Sequence, residues 1–317
     1  MTKNSLSLYL LFAIFIFSFP LYIANEYYIS LLIIVGINVL AALGLILLIG
    51  FAGQLSLCQA AFYGIGAYTT GVLSAKFGFN PWFSLVLGVL LACCLAYFLG
   101  LPALKLKGHY LAMATLGFGE IVNIVFKEWG SLTGGPSGLV GIPQLTLGGF
   151  ALDTDLRYYI FVWCIVLLAL AFLINLTNSR IGRGLLSIKR SEDAAASLGV
   201  SVATYKIKVF MLCAALGALG GGLYAHYITV ISPEAFDVFY SIILIIMAVS
   251  GGLTYIWGGV IGAFLFTIIP EALQAVDDYS VVTYGFILLF ILMFMPQGIA
   301  GLLDAGIKWV KGVFWQK

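Results

Sequence analysis

Residues 28–50 read YISLLIIVGINVLAALGLILLIG, a run of 23 residues without a charged side chain. A helix that crosses a bilayer needs about 20 mostly apolar residues, because the hydrocarbon core is about 30 Å thick and a helix rises about 1.5 Å per residue. This run is therefore long enough to cross a membrane, and similar runs recur along the chain.

Ten apolar runs of this kind divide the sequence. They predict spans at residues 8–24, 28–50, 55–75, 81–101, 109–127, 156–176, 207–231, 238–253, 258–275 and 281–303. The composition agrees, since 62% of the 317 residues are hydrophobic and 9% are charged, whereas a soluble domain has about 25% charged residues. The sequence thus predicts an all-α integral membrane protein with about ten transmembrane helices, forming a single domain over residues 1–317.

Basic residues indicate the orientation of these spans, because Lys and Arg stay in cytoplasmic loops. If the N- and C-termini are both cytoplasmic, 12 of the 15 basic residues lie on the cytoplasmic side. Lys76, Lys127 and Arg157 then lie outside. A shift by one span would scramble this distribution, so we expect an even number of spans with both termini in the cytoplasm.

Several classes of function find no support in the residue types. The net charge of the chain is only +2, and the basic residues of the chain lie in separate loops. We therefore expect no nucleic-acid partner. The five cysteines lie inside apolar runs, where they are expected to be buried hydrophobes. His109 and His226 have no partner at metal-ligand spacing, and we expect no metal and no cofactor. An intramembrane enzyme would need paired acids or an activated nucleophile, and the sequence shows no such set.

The cytoplasmic loop at 177–206 contains a predicted short helix. Its residues are Ser191, Glu192, Asp193, Ala194, Ala195, Leu198 and Gly199. The serine can cap the first N–H groups, the two acids suit the positive end of the helix, and the glycine can end it in the left-handed conformation. So short a helix needs something to pack on its apolar face. That is either lipid headgroups or another protein, and the small alanines favour a protein.

Polar side chains recur along the third predicted span. Ser56, Gln59, Tyr63 and Thr70 stand at offsets of 3, 7 and 14 residues, which places them on one face of a helix. Because such groups are costly against lipid, this face is expected to point into protein or into a water-filled path. Two interpretations stay open: the face lines a translocation path that hydrogen-bonds a zwitterion, or it packs between helices.

Glu120 is the one acidic residue clearly inside a predicted span. An ionisable group at that depth predicts a functional site. It can meet the ammonium group of a substrate, bond to a helix end or be protonated, and we favour a structural bond over a substrate contact. A secondary transporter driven by Na⁺ or H⁺ would need acidic residues at midplane, so a lone Glu argues against that class.

Four stretches of the sequence occur together in one known family. They are Gly53–Leu57 with Ala60–Tyr68, Leu106–Ile121, Leu132–Leu139, and the stretch from Arg180 to Gly222 that contains the predicted short helix. In this order, over about residues 28–303, they resemble the permease of the branched-chain amino acid importers, LivM type.

The resemblance implies a permease subunit of an ATP-driven ABC importer in the cytoplasmic (inner) membrane of a bacterium or archaeon. Its implied partners are a second homologous permease subunit, two cytoplasmic ATP-binding subunits and an extracytoplasmic substrate-binding protein. The loop at 177–206 becomes a coupling loop, whose helix near 192–198 would sit in a groove of an ATPase subunit and drive alternating access. The sequence has no Walker signature, so ATP hydrolysis is expected on another chain. Branched-chain amino acids are the default substrate, with urea or short amides as alternatives.

Overall fold

The computed structural model describes residues 3–22, 25–106, 108–147, 150–273 and 298–301. Most of these residues are helical. The α-helices are α1 (Lys3–Tyr22), α2 (Glu26–Leu45), α3 (Gln59–Ala75), α4 (Pro81–Ala103), α5 (His109–Glu128), α6 (Gly130–Thr133), α7 (Asp155–Asn178), α8 (Arg180–Arg190), α9 (Glu192–Ser197), α10 (Val202–Ile228), α11 (Val238–Gly251) and α12 (Trp257–Leu273). The described residues also contain four two-residue strands, numbered in chain order: β1 (Leu139–Val140), β2 (Thr146–Leu147), β3 (Phe150–Ala151) and β4 (Val230–Ile231).

Helices occupy the first nine predicted spans, and their ends lie within five residues of the predicted ones. Within the described ranges, five helices are long and apolar enough to cross a membrane: α2 with its continuation to Phe51, α4, α5, α7 and α10. Helices α1, α11 and α12 contain shorter apolar stretches. The tenth predicted span, 281–303, lies outside the described residues except for 298–301. The chain is a multi-pass helical membrane protein.

Helix α2 lies in the interior of the bundle, where it packs against α7, α10, α11 and α12. Every residue from Val35 to Leu48 is buried. A helix that is apolar on all sides can pack against lipid or protein, and here protein covers every face over this stretch. The chain continues beyond α2 as a π-helix over Ile46–Phe51.

Helices α3 and α10 approach each other at backbone distance. A Cβ atom added at Gly66 would lie 2.0 Å from the carbonyl oxygen of Ala218, and one added at Gly221 would lie 1.8 Å from the carbonyl oxygen of Tyr63. Only glycine fits at either position. In a bilayer the hydrophobic effect does not drive helices together, because lipid is as apolar as their side chains. Small residues let two helix backbones approach closely, and the resulting van der Waals contacts stabilise the pair.

One end of the bundle holds α8 and α9, which connect α7 to α10. Its charged residues are mostly basic and include Arg180, Arg183, Lys189, Arg190 and Lys206. We name it the basic end.

The opposite end is formed by the connections that follow α5 and α10. Strand β1 pairs antiparallel with β4, with Leu139 opposite Ile231, and β2 pairs with β3. The Lys76 ammonium donates a hydrogen bond of 2.9 Å to the carbonyl oxygen of Ser131, which ties α3 to the same connection. We name this the acidic end, since its described charged residues are Glu26, Glu128, Asp153, Asp155, Glu234, Asp237 and Glu271 against Lys76, Lys127 and Arg157.

Candidate functional site

Residues 52–58 form a non-helical segment between the π-helix and α3. We name it the interrupted segment. Directly after it, Gln59 begins α3 and donates hydrogen bonds of 3.2 Å to the carbonyl oxygens of Ala41 and Cys213. Ala41 lies 15 residues into α2, about 22 Å along the helix, so α3 begins deep in the bundle. The interrupted segment therefore runs from the basic end into the membrane interior.

Non-helical backbone at this depth is tolerated only where protein or a water-filled cavity surrounds it. Helix α5 supplies part of that surrounding. The backbone N–H of Leu57 donates a hydrogen bond of 3.0 Å to the hydroxyl of Thr115. One turn further along α5, a Cβ added at Gly119 would lie 3.6 Å from the carbonyl oxygen of Leu57. The segment and α5 thus form one unit.

The Gln54 side chain is the least satisfied polar group of the segment. It is 3% exposed, and within the described residues neither its Nε2 nor its Oε1 has a hydrogen-bond partner. A buried amide without partners costs about 1–3 kcal/mol for each unpaired group. Gln54 lies in the family-like stretch Gly53–Leu57, but it was absent from the predicted path.

The structure corrects the predicted polar face at one position. Ser56 is not on α3 but in the interrupted segment, where its hydroxyl lies 3.2 Å from the Cys58 thiol. The helix begins only at Gln59, because residues 52–58 run as non-helical backbone from the basic end to the bundle interior.

The other three predicted residues, Gln59, Tyr63 and Thr70, do share one face of α3, and it points at α10. A Cβ at Gly217 would lie 2.8 Å from the Gln59 amide nitrogen, and one at Gly222 would lie 3.1 Å from the Thr70 hydroxyl. Thr70 also donates a hydrogen bond of 2.7 Å to the carbonyl oxygen of Gly66. All three side chains are buried and face protein.

Tyr63 belongs to a buried aromatic cluster. Its ring centroid lies 5.4 Å from that of Tyr240 and 5.8 Å from those of Tyr224 and Phe236. The Tyr240 hydroxyl donates a hydrogen bond of 2.8 Å to Asn38, whose amide donates one of 3.0 Å to Thr267. This chain of bonds joins α11, α2 and α12, and sequence reasoning missed it because the partners are about 200 residues apart.

Glu120 lies on the exposed face of α5. Within the described residues it forms no hydrogen bond or ion pair, so the structural bond favoured from the sequence is not present there. The neighbouring side chains on this face are apolar, with Met113 70%, Leu116 40% and Ile124 48% exposed. A carboxylate in the middle of an exposed apolar helix face is costly against lipid, which indicates that protein or water covers it.

At the basic end, the structure contains the predicted short helix, α9. The Ser191 hydroxyl accepts a hydrogen bond of 3.3 Å from the backbone N–H of Ala194, and Gly199 ends the helix at φ +82°. Ala195 is buried against the protein, while Leu198 is 82% exposed, the highest value among the described large apolar side chains.

Two lysines fix α8 and α9 to the bundle. The ammonium of Lys206, buried on α10, lies 2.5 Å from the carboxylate of Glu192. The ammonium of Lys189 donates a hydrogen bond of 2.6 Å to the carbonyl oxygen of Gly50, and its side chain packs on Gly53. The second contact reaches the residues that lead into the interrupted segment.

The sequence matches the family model described as the permease component of branched-chain amino acid transport systems, over residues 27–294. It is 32% identical, over 286 residues, to the high-affinity branched-chain amino acid transport system permease protein LivM of Escherichia coli K12, covering 83% of this chain and 67% of that protein. It is 25% identical to the probable permease protein LivM of Methanocaldococcus jannaschii, covering 79% of this chain and 81% of the relative.

A second kind of permease also matches. The protein LivH of Escherichia coli K12 is 25% identical over 285 residues, covering 83% of this chain and 90% of its own length. No solved structure matches the chain. The match to the family model and the identity to LivM together show that the chain belongs to the family of permease components of branched-chain amino acid transport systems.

Proposed function

We propose that this chain is one membrane-spanning permease subunit of an ATP-driven importer for branched-chain amino acids. The names of its relatives support the substrate, and their division into LivM and LivH supports a second, homologous permease as partner. Two cytoplasmic ATP-binding subunits and an extracytoplasmic substrate-binding protein complete the assembly.

The proposed arrangement has ten spans in the cytoplasmic membrane of a bacterium or archaeon, with both termini inside. The basic end is then the cytoplasmic end, since Lys and Arg concentrate in cytoplasmic loops. The acidic end faces outward. Residues 177–206 form the coupling loop, and the whole chain is one permease domain.

The observation that carries this proposal is the exposed Leu198 on an anchored helix. Alone, α9 is too short to be stable. Ser191 caps its N-terminus, Gly199 ends it, and the ion pair between Glu192 and Lys206 holds it to α10. Leu198 therefore projects into the cytoplasm from a fixed support, as a docking residue for an ATPase subunit would.

The contact of Lys189 with Gly50 gives a route from the ATPase to the membrane interior. Movement of α8 and α9 would pull on the π-helix and the interrupted segment, which is bonded to α5 through Thr115. Ser56, Gln54 and Glu120 are the proposed path residues along this unit. Gln59, Tyr63 and Thr70 hold α3 against α10 beside it.

The exposed face of α5 is the proposed contact with the second permease. Glu120 in its centre would otherwise meet lipid, which disfavours a carboxylate. A path between the two permeases would supply water or protein dipoles to this side chain. Access would alternate as the two subunits rock against each other.

The test is co-purification from detergent-solubilised membranes, with mass spectrometry of the bound proteins. Leu198→Asp should lose the ATPase subunits, because an exposed apolar contact becomes a charge that must be desolvated. Leu106→Asp, the same change at another exposed leucine of the basic end, is the matched control and should keep them. A wild-type chain that purifies alone and moves amino acids in ATP-free vesicles would overturn the proposal.

A further inference from the structure

A cavity of about 260 Å³ lies at the acidic end, between the first turn of α7 and the last turn of α10. Its walls are mostly polar. They include Gln144, Asp153, Thr154, Asp155, Tyr158, His226 and Tyr227. It lies at the other end of the bundle from the interrupted segment and the coupling loop, so the proposed coupling and path leave it unexplained.

The imidazole of His226 lines this cavity and is fully buried. Its Nδ1 lies 2.7 Å from the carbonyl oxygen of Pro143. Since a carbonyl oxygen only accepts, Nδ1 carries the proton, and Nε2 of the neutral ring keeps a lone pair. Nε2 has no hydrogen-bond partner within the described residues. A buried acceptor without a partner is unfavourable, and a donor that entered this cavity would relieve that cost.

The two carboxylates of the cavity differ in their partners. Asp153 pairs with Arg157 at 2.9 Å, which balances its charge. Asp155 accepts a hydrogen bond of 3.2 Å from the neutral hydroxyl of Tyr227 and forms no salt bridge within the described part of the chain. The cavity therefore contains one unbalanced carboxylate, and His226 in its wall keeps an unpartnered lone pair.

A carboxylate and a lone pair together select a positively charged donor. A zwitterionic amino acid fits poorly, because it brings a carboxylate and the described walls contain no cationic side chain to receive it. A metal ion is also poorly matched, because no group of three His, Cys, Asp or Glu side chains in the described ranges could hold one. A lysine or arginine side chain brings positive charge alone.

The charge of the whole acidic end favours the same ligand. Seven described acidic residues face three basic ones there. The rule that places Lys and Arg in cytoplasmic loops accounts for the few basic residues, but acidic residues contribute little to orientation. Their concentration at this end needs another reason, and an oppositely charged partner surface supplies one.

We propose that this cavity takes a lysine or arginine side chain of the extracytoplasmic substrate-binding protein and thereby fixes where that protein docks. The inference rests on the proposed function, which supplies the partner and places the acidic end outside.

The test uses the complete importer in lipid nanodiscs, with ATP hydrolysis measured against the concentration of substrate-loaded binding protein. Asp155→Asn should raise the half-saturating concentration by about tenfold, because one charge-assisted bond is lost. The rates at saturation and without binding protein should be unchanged. Glu234→Gln removes the same charge from an exposed position outside the cavity and should shift the concentration much less.

Thr154→Lys is the second variant, since it places an ammonium at the cavity wall without touching Asp155. It should also raise the half-saturating concentration. If the Asp155→Asn complex fails to assemble, this second variant tests the proposal in its place. Equal rises in the half-saturating concentration for Asp155→Asn and Glu234→Gln would overturn the proposed docking role of the cavity. They would show only a general electrostatic attraction between the acidic end and the binding protein. No shift from either cavity variant would also overturn it. A wild-type complex whose ATP hydrolysis never responds to a binding protein would instead contradict the proposed function.

Discussion

The ammonium of Lys189 on α8 reaches the carbonyl oxygen of Gly50, in the π-helix that continues α2, 2.6 Å away. The i, i+5 bonding of a π-helix leaves its last carbonyls without a helical partner, and this lysine satisfies one of them. The bond thus connects the loop at 177–206 to the point where the central helix gives way to irregular backbone.

Replacing this lysine should separate ATP hydrolysis from transport. In Lys189→Met the side chain keeps its length but loses its ammonium, so the loop no longer holds Gly50, and we expect uptake to fall about tenfold. Hydrolysis by the complex should persist. Arg190→Met, a change at the exposed neighbouring residue, should leave both rates near wild type. Equal loss of uptake in both variants would show that loop charge, not this bond, matters.

Cross-linking can test whether the second permease covers α5. Met113→Cys on α5 and Leu168→Cys on α7 introduce thiols at equally exposed positions, 70% and 69%. With the exposed Cys94 and Cys164 changed to serine, a photoactivatable reagent on residue 113 should capture the second permease. The same reagent on residue 168 should capture only lipid. Capture from residue 168 alone would place the interface on the α7 side.

The unpartnered amide of Gln54 predicts opposite effects on stability and transport. Gln54→Met removes a buried amide that has no partner in this conformation, so the free energy of unfolding should rise by about 1 kcal/mol. Uptake should fall, because the amide is a proposed path residue. Gln59→Met is the control: that amide donates two hydrogen bonds and accepts one from Cys213, so its loss should lower the unfolding midpoint measured in detergent. An unchanged uptake in Gln54→Met would remove Gln54 from the path.

The contact of α10 with α3 predicts a strong effect of a single methyl group. Gly221→Ala would place a Cβ 1.8 Å from the carbonyl oxygen of Tyr63, and we expect a loss of about 1–3 kcal/mol in stability. Gly117→Ala, on the exposed side of α5, has no neighbour within 4 Å and should be neutral or stabilising. Thermal unfolding of the two purified variants compares them directly, and similar midpoints would contradict the close packing.

Local features of the site could be predicted from the sequence. Ser191 and Gly199 start and end α9 through contacts with residues at most five positions away, and caps depend on such neighbours. The apolar runs likewise located the helices, because each run is defined by its own composition.

The environment of the polar residues could not be predicted in the same way. Gln59 binds the carbonyl oxygen of Cys213, 154 residues away, and periodicity contains no information on such a partner. The interrupted segment was missed because hydropathy continues through it, and Ser56 was therefore placed on a helix. Gly53, at φ +69°, is the one local signal that could have marked the break.

The ribbon of β1 and β4 has a consequence for how the protein is made. Its paired residues Leu139 and Ile231 are 92 positions apart, and α7 to α10 lie between them. During synthesis β1 therefore stays unpaired until all of α10 has left the ribosome and entered the membrane. The acidic end closes late in biogenesis, and a chain truncated before Val230 would leave β1 as an open strand edge at that end.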